Sequence, residues 1–480
     1  MRRFIVFLLT VCLFLPACAC AGESDTFDWT LRVSAAGGVS AADMCVLPEG
    51  GVYLAGSVEG EADCGDPIGG KDAYIARVEM DGSIRWQKRL GGSDNDLFTR
   101  VIEGVGGGCL ALGVTSSADG DSRAARGAED AFLARLDEEG EVLWTKCLGG
   151  TADDELLAVS RWDDGGYLVC GRTKSYNGDF TSNHGGWDAW AMLLSEADGK
   201  PQWVVRFGEG GDDSFSLILP EYDRWTLVGE QGVDETEAQE GYEPQPVLVS
   251  IDSTGTVLSE QTLGGDGESR IIRALETDGG WLLAGQTSAT SALMPTGRGG
   301  LDLWVMQLRP SGTLSWQRTY GGSGEERFVS LYAAEGGGYL FLATTESEDG
   351  QVSGGHGVRD VWVVKTSAQG ALEWQQTIGG SEASSCAGAI ADGAGGYYVA
   401  GSSTAQDGDI GWHTSSMTAG FLAHLADNGN LLSMELLGGA EEFRAVRLDR
   451  GEEGAYLLGA VRRAEPTGVT EEIWLARLAE

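Results

Sequence analysis

A tryptophan returns down this chain at nearly constant intervals. It stands at Trp29, Trp86, Trp144, Trp203, Trp316 and Trp374, with Ser259 and Ser433 in the same slot, and neighbouring members lie 56 to 59 residues apart. A glycine comes four residues before the slot, at Gly82, Gly140, Gly199, Gly255, Gly312, Gly370 and Gly429. A Gly-Gly pair follows it at 91–92, 149–150, 210–211, 264–265, 321–322, 379–380 and 438–439. A fixed period of this length marks a repeat architecture. One such unit is too small to bury both its faces, so its neighbours must supply the core.

Each unit holds four short strand patterns. In the second they are 98–104, Cys109–Thr115, Asp130–Leu136 and Val142–Leu148. Apolar and polar residues alternate with period two, and Gly and Asp clusters bound each run. No segment carries a sustained helical period. Three of the four connections are tight, and a polar loop of about fourteen residues joins the second strand to the third. Four-stranded antiparallel units in tandem predict a radial propeller. The aromatic slot Tyr74, Phe132, Trp190, Trp304, Trp362, Phe421 and Trp474 is expected to pack blade on blade. Phe27–Val33 matches the fourth strand of a unit and 473–478 the third. The fold predicted is therefore all-β: an eight-bladed β-propeller of four-stranded antiparallel blades, closed by an N-terminal strand joining the C-terminal three. Closure of this kind removes exposed strand edges.

Residues 1–21 read as an export signal: Arg2 and Arg3, then an apolar run too short to span a bilayer. Two processing readings stand. Ala19-Cys20-Ala21 suits an ordinary signal peptidase, and Leu15-Pro16-Ala17-Cys18 resembles a lipoprotein box in which Cys18 becomes the lipidated first residue. Residues 22–26 form a short linker and 27–480 a single propeller domain. An extracytoplasmic protein follows, either secreted or held at the bacterial cell surface by a lipid anchor. The formal charge of −40 becomes −42 once a leader with two arginines and no acid is removed. Such a surface repels nucleic acid and anionic membranes, so the N-terminal anchor is the one membrane attachment expected. The ring is expected to be a monomer.

Six cysteines lie beyond the leader, at Cys45, Cys64, Cys109, Cys147, Cys170 and Cys386. Their spacing is irregular. It allows fifteen pairings and equally allows free buried thiols.

The string Asp302-Leu-Trp-Val, then Trp316-Gln317, then Gly321-Gly-Ser-Gly-Glu325 and Gly337-Gly-Tyr-Leu-Phe-Leu-Ala343 resembles the β-propeller repeat family of bacterial secreted and surface proteins. The likeness covers about 27–480. It implies the fold and no reaction. Ala134-Arg-Leu-Asp-Glu-Glu-Gly140 ahead of Trp144 is similar to the tryptophan-docking motif of quinoprotein-type eight-bladed propellers, shifted by one residue and without its threonine. The period is longer than in that group, and no vicinal cysteine pair is present, so no cofactor is carried over.

Residues present in every unit hold the ring; residues present once are better site candidates. The aspartates opening the third strands (Asp72, Asp130, Asp188, Asp302, Asp360) and the acids after Gly-Gly (Asp96, Asp154, Asp213, Glu268, Glu326, Glu442) read as turn-ordering groups. Asp119-Gly-Asp121, Asn177-Gly-Asp179, Asp349-Gly-Gln351 and Asp407-Gly-Asp409 read as turns, each with too few oxygens for calcium. His184, His356 and His413 lie in the long loops of blades three, six and seven, too far apart for a zinc site; His424 is the fourth histidine. No catalytic motif and no metal site stand out. The long loops and the blade connectors share one face, and there Tyr176, Phe180, Trp187, Arg298 and Trp412 are the ligand-binding candidates. Blade four departs most from the repeat, with Asp223-Arg-Trp225 in place of Gly-Gly, Pro246 in place of Asp, and an acidic loop at 234–243.

The function expected is an exported, non-catalytic scaffold that binds a protein or glycan through its loop face. The alternatives are a lyase or hydrolase working in the central channel, where Glu103, Arg161, Arg270, Arg273, Arg444 and Arg447 on the first strands would have to converge, and a lipid-anchored envelope assembly factor.

Overall fold

The computed structural model describes residues 26–123, 125–162, 165–232, 245–265, 267–289, 298–411, 417–438, 441–465 and 468–479. They form eight four-stranded antiparallel sheets arranged as a closed ring. Blade one comprises Gly38–Val46, Val52–Glu59, Lys71–Val78 and Ile84–Leu90. Blades two to seven repeat this order from the channel outward, each strand paired to the next. Blade eight takes Glu442–Gly451, Gly454–Glu465 and Gly468–Leu478 from the C-terminal end and Phe27–Val33 from the N-terminal end. The seam pairs Phe27 with Leu478 and, after a bulge, runs from Trp29 opposite Arg477 to Val33 opposite Ile473, and the Phe27 and Trp474 rings meet edge to face at 5.4 Å. Arg32 ties it further, reaching Glu441 at 2.9 Å and Glu472 at 3.4 Å.

Strand periodicity explains which residues go inside. Successive side chains point to opposite faces of a sheet, and here both faces of the middle strands are covered by neighbouring blades. Asp130–Leu136, Asp302–Leu308 and Asp360–Thr366 are accordingly buried at every position. Outer strands have at most one covered face, and Phe27–Val33 alternates between half-buried and exposed up to the buried Val33. The aromatic slot behaves as its spacing predicts, with Phe132, Trp190, Trp362 and Phe421 wholly buried. Two details differ from the sequence reading. The first strand of blade two is Asp96–Glu103, beginning earlier because Asp96 pairs with Thr115. Blade eight has no long loop between its second and third strands; these run on as a hairpin paired from Tyr456–Arg477 to Glu465–Gly468.

The recurring tryptophan works across blade boundaries. On an outer strand it reaches the third-to-outer turn of the next blade and donates its indole N–H to a carbonyl there. Trp29 donates to Met80 at 2.8 Å, Trp86 to Glu138 at 2.9 Å, Trp144 to Glu196 at 2.7 Å, Trp203 to Ser253 at 3.0 Å and Trp374 to Asp427 at 2.8 Å. The ring lies on the turn glycine. A methyl group on Gly140 would stand 2.5 Å from the Trp86 indole, and one on Gly429 2.6 Å from that of Trp374. The glycine four residues before one tryptophan therefore serves the tryptophan of the preceding blade.

Candidate functional site

The long loops are latched onto the blade connectors by the Asp-Gly-Asp turns. Asp119 accepts the Ser93 N–H at 2.7 Å, and Asp121 accepts that of Gly91 while its own N–H returns to the Gly91 carbonyl at 2.9 Å. The pattern recurs with Asn177 and Thr151, with Asp179 and Gly149, with Asp349 and Ser323, and with Asp407 and Ser381. These side chains are committed to backbone N–H groups. The result is a firm loop face rather than a row of open cation sites.

The repeated acids are likewise structural. Asp72, Asp188, Asp302 and Asp360 each accept the backbone N–H of the residue four positions earlier, and Asp72 also that of Gly69, three positions earlier. Asp96 accepts from Gly92, Thr115 and Ser117, and Glu326 from Gly322, Thr345 and Ser347. Burial raises Asp154, Asp213 and Asp302 to about 6, against their hydrogen bonds. Two members leave the pattern. Glu268 and Glu442 turn toward Arg270 and Arg462, each 3.9 Å away, and in blade five the Ser269 hydroxyl takes the inner position against Thr287.

The five loop-face candidates separate in the structure. Tyr176 stands out, 66% exposed. Trp187 is half-buried, with the Arg172 guanidinium 4.3 Å and the Lys174 ammonium 4.4 Å from its ring. Phe180 is fully buried against Trp190 at 5.5 Å, so it holds the loop down and presents nothing to solvent. Arg298 is exposed, but it repeats the placement of Arg126: both lie four residues before the aspartate that takes their N–H, and both point at the carbonyl of the first glycine of the following pair. Trp412 and Cys18 lie outside the described residues, as does His413. Sequence reading missed Arg172 and Lys174, because only the fold brings the end of one strand over a ring from the adjacent loop.

In the channel, Arg100 of blade two and Arg447 of blade eight both act on Arg273 of blade five. Burial first, then Arg100 and Arg447, hold Arg273 below its ordinary pKa. Burial also opposes the charge on Arg447, but Asp43 and Asp449 outweigh it and the value is raised. The other residues singled out do not join this group. Arg161 pairs with Glu103 at 3.0 Å and Arg270 with Glu230 at 3.0 Å, both near the rim, and Arg444 lines a separate cavity of about 290 Å³.

The remaining groups have local partners. His184 contacts Asp188 at 3.0 Å, His356 lies between Asp360 and Asp409, and His424 contacts Asp392 at 2.8 Å and stacks on Tyr398. Among the described residues no group of three or more His, Cys, Asp or Glu is placed to hold a metal ion. Among the described residues the six cysteines from Cys45 to Cys386 form no disulfide, and burial pushes Cys45 up to about 11 and Cys386 to about 12.

No family model matches the chain. The regulatory protein FlaEY of Caulobacter vibrioides is 27% identical over 384 residues, which is 70% of this chain and 39% of that protein, so the chain spans well under half of that relative's length. Among solved structures, the acylaminoacyl peptidase of Pyrococcus horikoshii aligns with a TM-score of 0.42 and 9% identity over 88% of this chain and 58% of its own. The apocarotenoid oxygenase of Synechocystis aligns with a TM-score of 0.37 and 14% identity over 68% of this chain and 70% of its own. The chain is an eight-bladed β-propeller repeat protein, and it has a bacterial relative that bears the name of a regulatory protein.

Proposed function

We propose that this chain is an exported, non-catalytic scaffold that binds a protein or glycan partner through its loop face, in a regulatory role of the kind its relative's name suggests. The observation that carries the reading is the patch on blade three. Tyr176 is exposed, and in the same long loop, between Gly166–Thr173 and Asp188–Ser195, Trp187 carries two cations. Exposed aromatic faces stack on sugars and grip peptides, and the two cations on Trp187 are themselves held by Glu155 at 2.8 Å and Asp153 at 3.7 Å, which fixes the ring in place.

A glycan array and a pull-down, each run with the wild-type ring and with a Tyr176→Ala/Trp187→Ala double variant, test it. Binding weakened at least tenfold by the double variant is expected. Equal binding by both proteins, or none by either, overturns the loop-face reading. Mass spectrometry of the mature N-terminus tests export and anchoring together: a lipidated Cys18 places the ring on a membrane, and a chain beginning at Gly22 makes it freely secreted.

The channel arginines favour a second reading, in which a small anionic molecule enters along the axis. The lyase or hydrolase alternative would work there. Loss of anion binding in Arg273→Ala, with the loop-face variants unaffected, would select it.

A further inference from the structure

The repeat breaks at one seam. Val257–Thr262, the outer strand of blade four, carries Ser259 where five other blades and the closing strand carry tryptophan, and all six of its residues are exposed. The turn that would receive the indole is intact. Gly312 keeps the turn conformation with φ +78°, yet a methyl group built on it meets nothing within 4 Å, whereas at the six occupied seams it would lie 2.5 to 2.9 Å from an indole. The carbonyl that would accept the indole N–H is that of Pro310, two residues before the glycine as Glu138 is before Gly140. No hydrogen bond reaches it among the described residues.

The neighbouring aromatic is also left uncovered. Tyr167, Trp225 and Tyr397 open the second strands of blades three, four and seven, are at most 4% exposed, and lie 6.2 to 6.5 Å from the docking tryptophan of the preceding blade. Trp281 holds the same position in blade five and is only half-buried. Between Ser259, Trp281 and Gly312 a cavity of about 680 Å³ opens, within the usual range for ligand pockets. Tyr222, fully exposed, stands at its edge.

Ser433, the other slot without tryptophan, provides the contrast. It faces blade eight, whose third and outer strands come from opposite ends of the chain and share no turn. Among the described residues no glycine awaits an indole there. At Ser259 the glycine, the carbonyl and the flanking ring are all in place.

We propose that this cavity between blades four and five is a docking site for a tryptophan-type side chain carried on a basic segment of a partner polypeptide. The unfilled half of the docking contact specifies a planar ring with an N–H donor. The lining specifies the flanking charge, since carboxylates outnumber arginines there by five to two. A second copy of this chain, with formal charge −40, is the wrong partner for such a rim. The cavity is built from first-to-second and third-to-outer turns, so it lies at the opposite ends of the strands from the loop face and does not depend on the function proposed above.

The test is ¹⁹F NMR titration of the full ring with a short peptide bearing 5-fluorotryptophan between lysine pairs. Saturable binding is expected. It should weaken at least tenfold when leucine replaces the tryptophan, and by the same margin in Ser259→Trp, whose own indole fills the slot. Trp281→Leu, which leaves the slot open but removes its wall, should also weaken binding and serves if Ser259→Trp does not fold. Absence of saturable binding, equal binding of the leucine peptide, or unchanged binding to a folded Ser259→Trp ring overturns the proposal. Equal affinity for N-acetyltryptophanamide overturns the basic polypeptide as the source of the ring. A dimer of the ring that Ser259→Trp abolishes overturns the choice of partner.

Discussion

Trp86 and Glu138 are 52 residues apart in sequence, yet the indole N–H of one donates to the carbonyl of the other at 2.9 Å across a blade boundary. The same contact ties blade to blade around most of the ring. It turns an array of marginal sheets into one object, because each sheet is held by a side chain that belongs to its neighbour.

The contact can be weighed by removal. Trp144 is 9% exposed, donates to Glu196 and packs on Tyr167. Trp144→Ala is expected to destabilise by about 3–5 kcal/mol, as large-to-small changes at buried aromatics do. Trp144→Phe keeps a ring and loses the donor, for about 1 kcal/mol. Urea unfolding measures both, and an alanine variant within about 0.5 kcal/mol of wild type would refute the role given to this residue.

The two serine slots should respond differently to the same substitution. Ser259→Trp has Gly312 and the Pro310 carbonyl to meet and should raise the thermal midpoint. Ser433→Trp meets no turn and should leave it unchanged or lower it. Equal gains at both sites would show that added apolar area alone, and not the docking geometry, stabilises the ring.

Stability should rise as the solution is acidified from neutrality. Asp154, Asp213 and Asp302 are raised to about 6 by burial, above the 3.8 of a free aspartate. Between those values the folded state binds more protons than the unfolded one, so unfolding becomes harder as pH falls. This contribution is complete below about 4 and lost as pH climbs through about 6. The acidic surface adds to the trend, since protonation relieves its self-repulsion. Melting curves from pH 8 to pH 5 that show a falling midpoint would contradict the assignment.

The loop latch predicts a glycine requirement and indifference to calcium. Gly178 sits at φ +72°, and a methyl group there would lie 2.3 Å from the Gly149 carbonyl. Gly178→Ala should therefore destabilise the ring by about 1–3 kcal/mol, while millimolar calcium should leave the melting midpoint of the wild type where it was. A calcium-dependent rise would mean that the Asp-Gly-Asp carboxylates are available after all.

Much of this was legible in the chain itself. The tryptophan period, the Gly-Gly pairs and the alternation of strands determine eight four-stranded blades and a seam between Phe27–Val33 and the last strands, because a repeated pattern can bury its faces only against copies of itself. The recurring aspartates could be recognised as structural by the same logic, though Glu268 and Glu442 show that a conserved spacing does not guarantee a conserved role for the side chain.

What only the tertiary structure decided is which residues meet across blades. Phe180 and Tyr176 look alike as loop aromatics, yet one packs under the loop and the other stands in solvent, because burial depends on the neighbouring strand and not on residue type. Arg172 and Lys174 carry no local signal that they sit on Trp187. Ser259 and Ser433 are the same departure from the repeat in sequence. Only the ring distinguishes them, since one faces an intact glycine turn and the other faces a seam without one.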